Sequence, residues 1–431
     1  MPFAVKDLYR RASMCRCPET RSLLLKCAWD ARKQWLSDLR TRAHMLRIDS
    51  GKAVQKKRRL HKIRTISSIR SDGSFNCLAQ DDFSASHVAA ATFGDRWGAA
   101  DLHVRESALD FMHAAEKQLP DLSPMDFIVA FHKLKRWDQL DIDGVCITLL
   151  WFAFCADPDV FTLWMRRCVA HRSAVQALRA RCKAVGKKSK DSLDTDLRAI
   201  VPMAACLRLL DRVLGLKIDA ELSKLLPCIP GFFVGAQRHT QCLDIAHGAA
   251  LFIEKALDSR SEGSVAQADI RCYFDSMPIL RILKWLVQQG VDMALVAAVG
   301  RHQLLTSVLV FSGQQSCQVR ARSRGGLTGS NLALLLSRIP VESAFSNLND
   351  ALSTCSYRLD CGSLKAAVYV DNIYTISRYA SSTTMQMELV LSFLRDEWGL
   401  ATKAQSKRLL IVKGADNDGL VGTDWVVEEC S

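Results

Sequence analysis

Two acidic residues stand where chemistry could be done. Asp269 closes the apolar run SVAQADI and opens QADIRCYFDSMP, while Asp371 sits at the tip of AAVYVDNIYTISR, between two runs of β-branched and aromatic residues. Strand ends and hairpin tips of one sheet can bring carboxylates within a few ångströms, even when they are as distant in the chain as these two. Such a pair suits Mg²⁺ or Mn²⁺, hard cations that take oxygen ligands and keep places for substrate phosphates. Two of these ions roughly 3.5–4 Å apart activate an attacking hydroxyl and stabilise the leaving oxygen in phosphoryl transfer. Each residue alone also has a plainer reading. Asp269 can end a strand or cap a helix, and Asp371-Asn372 can form an Asx turn that tolerates the positive φ of a two-residue hairpin.

The elements that must position these residues follow from pattern. SVAQADI reads as a strand, and PILRILKWLVQQG as a helix opened by Pro278 in its first turn and closed by Gly290. A second long helix covers SNLALLLSRIPVESAF, and a third covers SSTTMQMELVLSFLRDEWG, with hydroxyl caps at its start and Gly399 at its end. From about 93 to 230 apolar positions recur mostly at helical spacing, as in SPMDFIVAFHKLKRW. GKKSKDSLDTD interrupts them as a surface loop, with Lys187, Lys188 and Lys190 solvated. Segment 71–92 loses positive charge and gains Ser, Asp and Gly, which marks a linker.

Charge and cysteine usage narrow the class. The chain of 431 residues carries a net charge of +13, yet residues 1–70 alone hold 19 Lys/Arg against 5 Asp/Glu. Basicity is therefore local. Its densest part, GKAVQKKRRLHKIR with Lys56, Lys57, Arg58 and Arg59, follows a helical pattern and reads as a solvated basic tail, a phosphate-binding arm or a nuclear-localisation signal. No run of eighteen apolar residues and no signal-peptide core appear, so the expectation is an intracellular protein, nuclear or cytoplasmic, without membrane attachment. The sixteen cysteines are scattered without a CxxC, which predicts reduced core thiols; Cys15 and Cys17 lack a second ligand pair for zinc. No nucleophile–base arrangement points to a hydrolase.

The order of these segments resembles the reverse transcriptases, particularly those of non-LTR, LINE-like retroelements, over about residues 120 to 425. ADIRCYFDSMP is similar to the family's first catalytic motif, which gives Asp269 a metal-binding role and makes Phe274 the steric gate against a ribose 2′-OH. RGGLTGSNLALLLSRIP resembles the glycine turn and long helix of the second motif. Gly325, Gly329 and Ser330 match, Thr328 replaces the usual Gln, and the glycines would admit close approach to the nascent base pair. YVDN resembles the YxDD hairpin, which makes Asp371 the second ligand. Asn372 departs from the pattern: an amide can coordinate through oxygen but carries no charge, so metal affinity should fall. WGLATKAQSKRLLIVKG resembles the next motif, with Lys407 near the family's lysine, and GLVGTDWVV resembles the hairpin that grips the primer. Upstream, LRAIVPMAACLRLLDRVLG places Arg198 at the position that contacts a nucleoside triphosphate. GFFVGAQRHTQCLDI matches loosely at Gly231, Phe232, Gly235, Arg238 and Thr240.

The resemblance implies an α/β (α+β) right-hand polymerase. Its parts are a basic helical extension (1–70), a linker (71–92), helix-rich fingers (93–262) and a palm (263–431) with a small antiparallel sheet. A thumb, an RNase H and an endonuclease are expected to be absent or truncated. The implied activity is a magnesium- or manganese-dependent nucleotidyltransferase, an RNA-directed DNA polymerase of retrotransposon type whose partners are an RNA template, a DNA primer and dNTP. One rival reading is a retroelement-derived RNA-binding protein that has lost catalysis. The other is a viral RNA-dependent RNA polymerase in which Asp269 and Asp275 form a Dx₅D pair.

Overall fold

The computed structural model describes residues 65–69, 74–115, 118–135, 140–141, 144–170, 179–186, 191–193, 197–226, 232–235, 242–259, 261–312, 315–319, 322–353, 357–359, 362–403, 405–412 and 425–430, together with Lys26, Cys27, Ala28, Asp30, Ala31 and Gln34. The chain divides into two units, Met1–His61 and Lys62–Ser431. Lys56, Lys57, Arg58, Arg59, Lys187, Lys188, Lys190, Gly231, Arg238, Thr240, Cys15 and Cys17 all lie outside the described residues. Among the described residues the cysteines are free thiols, and no helix is long and apolar enough to cross a membrane.

The second unit mixes strands and helices. Its strands are β1 (Thr65–Ile69), β2 (Phe75–Ala79), β3 (Arg179–Gly186), β4 (Asp191–Leu193), β5 (Leu197–Ile200), β6 (Phe232–Val234), β7 (Gly263–Asp269), β8 (Ser307–Ser312), β9 (Gln315–Gln318), β10 (Tyr357–Leu359), β11 (Gly362–Leu364), β12 (Ala366–Tyr369), β13 (Asn372–Ser377), β14 (Arg408–Val412) and β15 (Val426–Cys430). Its helices are α1 (Asp82–Arg96), α2 (Leu102–His113), α3 (Pro124–Lys133), α4 (Ile147–Ala156), α5 (Pro158–Ala170), α6 (Ala205–Leu225), α7 (Cys242–Asp258), α8 (Tyr273–Ser276), α9 (Ile279–Gln288), α10 (Met293–Gly300), α11 (Asn331–Leu336), α12 (Arg338–Asn347), α13 (Asn349–Ser353) and α14 (Ala380–Trp398). A single π-helical turn, Arg301–Leu305, continues α10.

Two sheets matter for the site. The larger has six strands in the order β15-β14-β7-β13-β12-β6. Its four central strands are antiparallel, with β7 between β13 and β14, while β6 runs parallel to β12 and β15 parallel to β14. The expected antiparallel sheet thus holds at the centre only. The expected primer-grip hairpin, GLVGTDWVV at 419–427, falls mostly on residues 413–424, which lie outside the described set. The second sheet, β5-β3-β8-β9, was not foreseen, because a region read as helical supplies β3 and β5.

Helix α14 covers the larger sheet along β7 and β13. Its early hydroxyls do not cap it, as had been expected; the N-cap is Tyr379, which makes no side-chain cap bond. They pin the helix to the strands instead. Thr383 Oγ1 lies 2.6 Å from Ser264 Oγ on β7, and Thr375 Oγ1 on β13 donates to the Thr383 carbonyl at 3.0 Å. The helix ends as predicted, with Gly399 in the left-handed region at φ 67. Helix α9 buries Ile279, Ile282, Leu283 and Leu286, the i, i+3, i+4, i+7 stripe visible in its sequence.

Two further boundaries moved. SNLALLLSRIPVESAF is two helices, α11 and α12, parted at Ser337. Pro340 explains the break, since it has no N–H to return to the Leu336 carbonyl. The supposed linker carries β2 and most of α1; its Asp81 and Ser84 form a capping box, with Ser84 N donating to Asp81 Oδ1 at 2.9 Å.

Candidate active site

Strand β7 ends at Asp269, and the β12–β13 hairpin turns beside it. The register sets Asn372 directly opposite Asp269, and Ile270 N donates to the Asp371 carbonyl at 2.8 Å, so the hairpin tip is latched to the strand end. Tyr369 pairs with Asn372, leaving Val370 and Asp371 as the two turn residues. Positive φ falls on Val370, at 61°, rather than on Asp371 or Asn372. A β-branched residue is rarely found there, and the strain is held by the paired strands on either side.

The two carboxyl groups are close enough for the charge of one to bear on the other. Burial, and then the neighbouring Asp269 charge, hold the Asp371 carboxyl above the usual carboxylate range; the Arg198 guanidinium pulls in the opposite direction. Arg198 is exposed on β5, so the smaller sheet presents a cation to the hairpin of the larger one. Asp269 Oδ1 is buried with no donor reaching it, and Oδ2 is met by Lys403 Nζ at 3.1 Å. Two carboxylates this close, one with an undonated buried oxygen, form a site that gains by taking a cation. Among the described residues no third His, Cys, Asp or Glu joins them.

Asn372 is held differently from a ligand. Its Oδ1 accepts from Gln267 Nε2 at 3.0 Å, and its Nδ2 donates to Asp371 Oδ1 at 3.1 Å. The amide therefore orients Asp371 and turns its N–H₂ side toward the acid, with its oxygen taken by Gln267. Lys407 Nζ pairs with Glu388 at 2.6 Å and lies over the Trp425 ring, while Lys403 stands beside Asp269.

The glycine turn packs against the same region. Gly326 N donates to the Phe274 carbonyl at 2.8 Å and Gly325 N to the Met277 carbonyl at 2.9 Å, so the turn is docked on α8 just after Asp269. Phe274 is half-buried there. At Gly325, φ is 84° and an added Cβ would meet Trp97 at 2.7 Å and the Asp275 carbonyl at 2.9 Å. That glycine therefore admits the protein's own Trp97, not a bound base pair. Gly329, at φ 99°, faces a cleft. Ser330 does not face a nucleotide. Its hydroxyl donates to Asp211 and accepts from Ala333 N at 2.9 Å and Gln303 Nε2 at 3.1 Å, which makes it the cap of α11 and corrects its assignment to nucleotide binding. Asp275 accepts from Trp97 Nε1 at 2.8 Å, which takes it out of a Dx₅D pair with Asp269.

Beyond the glycine turn opens a cleft of about 660 Å³, walled by Ile200–Ala205, Thr328, Gly329 and Asn331. Lys133, Lys135, Arg181, Arg208 and Arg212 line it. Its two acids are engaged internally: Asp141 accepts from Ala205 N at 2.6 Å and Asp211 from Asn331 N at 2.8 Å. The cleft thus offers net positive charge to an anion.

No family model matches the chain. No curated protein matches it either. Among solved structures, apo telomerase from Candida tropicalis, truncated from its C-terminal domain, is similar at 12% identity and a TM-score of 0.39, covering 56% of this chain and 51% of that one. Telomerase from Candida albicans, in complex with a TWJ fragment of telomeric RNA, is similar at 13% identity and a TM-score of 0.38, covering 57% and 43%. The chain spans about half the length of these structures. They are telomerases, not the retroelement enzymes that the motifs resemble, and at these TM-scores the functional reading rests on side-chain geometry.

Sequence reasoning missed Lys403, Asp211, Gln303 and the Trp97–Asp275 bond. Lys403 and Lys407 lie four apart in an irregular segment, where no period tells which one turns toward Asp269. The others are long-range contacts of a buried network, and only the polarity of Arg301-His302-Gln303 inside an apolar stretch hinted at it.

Proposed function

We propose that this chain is a template-directed nucleotidyltransferase of the reverse transcriptase kind, extending a primer from nucleoside triphosphates. One observation carries the reading: Asp269 and Asp371 meet at the end of β7 with a buried, undonated carboxylate oxygen, and Arg198 faces them from the other sheet. Asp269 and Asp371 would hold Mg²⁺ or Mn²⁺, which when bound supplies neutralising charge for phosphoryl transfer. The chain's own groups account for the rest. Arg198 is placed to pair with phosphate oxygens, Asn372 keeps Asp371 aimed, and the Asp269 main chain is fixed by Lys403 N at 2.9 Å. Phe274, half-buried beside the glycine turn, would favour deoxynucleotides by bulk, and the basic cleft suits the phosphates of a template strand. A non-LTR, retroelement origin is the finer form of this proposal.

Primer extension on poly(rA)/oligo(dT) with dTTP and either metal tests it. Incorporation that is lost in Asp269→Ala supports the proposal, and incorporation that survives it overturns the site. The Asn372 amide and the Lys403 ion pair favour a second reading, a polymerase-derived RNA-binding protein without catalysis. Bound RNA with no incorporation under either metal would select it.

Two further results are expected. Phe274→Ala should raise incorporation of ribonucleotides relative to deoxynucleotides by about tenfold or more, read as the ratio of kcat/KM values. The Arg181→Ala/Arg212→Ala double variant should weaken RNA binding at low salt and reduce the log–log salt slope by about one to two, because each lost phosphate contact releases fewer counterions. An unchanged slope would remove the cleft from the nucleic-acid path.

A further inference from the structure

The cation nearest Asp269 belongs to the protein. Lys403 Nζ stands 3.1 Å from Asp269 Oδ2, with the lysine side chain 60% exposed and the aspartate 23%. The main chain around this lysine is fixed independently of its amine. Lys403 N donates to the Asp269 carbonyl at 2.9 Å, Ser406 N to the Lys403 carbonyl at 3.2 Å, and Arg271 N to the Ala401 carbonyl at 2.8 Å, while Ile270 and Thr402 form a bridge. The backbone at residue 403 is therefore anchored against the end of β7, whereas its side chain can swing into solvent. Exposed ion pairs of this kind are weak and readily exchanged.

Resting on the metal-site reading above, we infer that Lys403 is a resident cation: its ammonium occupies the charge place beside Asp269 in the metal-free chain and must leave when a divalent cation binds there. Lys403 pairs with Asp269, and Arg198 is near enough to favour the charged form of Asp371, so protein cations already offset part of the acids' charge. With Asn372 where a third acid would add charge, the lysine sets a larger share of the field that an entering metal meets. Metal affinity in this chain is then set by the carboxylates and lowered by Lys403, and removing the amine strengthens binding without adding any ligand. Substituting an acid for it does both.

The test measures Mn²⁺ binding at constant pH by electron paramagnetic resonance of the free ion, on full-length wild type, Lys403→Gln, Lys403→Glu, Asp269→Asn and the Lys403→Gln/Asp269→Asn double variant. The expected result is affinity about fivefold tighter in Lys403→Gln, the upper end of what displacing an exposed ion pair costs, and tighter still in Lys403→Glu. The gain should disappear in the double variant. Wild-type binding too weak to measure, with binding restored in Lys403→Gln, would support the inference equally. Equal affinity in wild type and Lys403→Gln, with binding lost in Asp269→Asn, would overturn the lysine's role and leave the metal site standing. Binding that Asp269→Asn does not alter, or that is absent from every variant, would overturn both. A second readout needs no activity: acylation of Lys403 by an amine-reactive ester, followed by mass spectrometry, should rise on adding Mn²⁺ as the amine is released. Reactivity unmoved by saturating Mn²⁺ would count against displacement.

Discussion

Asp371→Asn is expected to lower nucleotide incorporation steeply while stabilising the metal-free chain. The two effects have one cause. Asp371 is half-buried and faces a second carboxylate, so its charged form is disfavoured first by burial and then by Asp269. The amide keeps the hydrogen-bond geometry, since its oxygen can still accept from Asn372 Nδ2, but it relieves the like-charge contact. It also halves the charge available to hold a cation, and incorporation should fall by roughly two to three orders of magnitude. The sign of the pH dependence follows. A carboxyl whose folded pKa is raised penalises the folded state wherever it is ionised there, and the penalty fades as pH falls through the folded pKa. It is gone below the ordinary value of 3.8, where both states are protonated. Thermal unfolding without metal should therefore show Asp371→Asn melting above wild type at pH 7, each 1 kcal/mol appearing as about 1 °C in a chain of this size. The difference should close as pH approaches 3.8. A variant less stable than wild type at pH 7 would mean that the two carboxyl groups do not face each other.

The parts of this site that could be read from the sequence are those set by local pattern. Asp269 at a strand end, Asp371 at a hairpin tip, the apolar stripe of α9 and the Gly399 stop each depend on residues a few positions apart, and periodicity or a left-handed φ requirement suffices to place them. Residues whose role is fixed by a distant partner were not legible. Thr383 reads as a cap until Ser264 and Thr375 are seen to claim it. Ser330 reads as a nucleotide contact until Asp211 and Gln303 are seen to claim its hydroxyl. Asn372 is the subtler case. The sequence shows that an acid is missing, but only the Gln267 bond shows which face of the amide is turned toward Asp371. Strands β3 and β5 failed for a related reason. β5 is only four residues long, and β3, though longer, is held by β8, more than a hundred residues further along the chain, so neither has a local signal strong enough to outweigh helical surroundings.

Asp211→Ala is expected to cost the fold more than any surface change near the carboxylates, although Asp211 lies on α6 and touches neither of them. Its side chain is 3% exposed and accepts from the Ser330 hydroxyl and from Asn331 N. Truncation leaves both donors buried without an acceptor, a loss of about 3 kcal/mol or more, to be measured as a lower urea midpoint. Asp211→Asn retains one acceptor but turns an N–H₂ toward the other donor, so an intermediate loss is expected. His302 supplies the pH signature of the same network. It is fully buried, with Nε2 3.3 Å from the Leu207 carbonyl and 3.8 Å from Asp211, and burial holds its pKa below the ordinary 6.5 despite the nearby acid. A histidine with a depressed folded pKa stays neutral in the fold while the unfolded chain takes up a proton. Stability should therefore fall as pH drops below 6.5, and His302→Gln should flatten that slope. Because Asp211 also fixes the turn that presents Gly329 to the basic cleft, Asp211→Asn should weaken RNA binding even where the protein remains folded, yet leave Mn²⁺ affinity at Asp269 and Asp371 unchanged. Loss of both together would mean that cleft and carboxylates are coupled through α11; loss of neither would show that the buried network is scaffold to the fold alone.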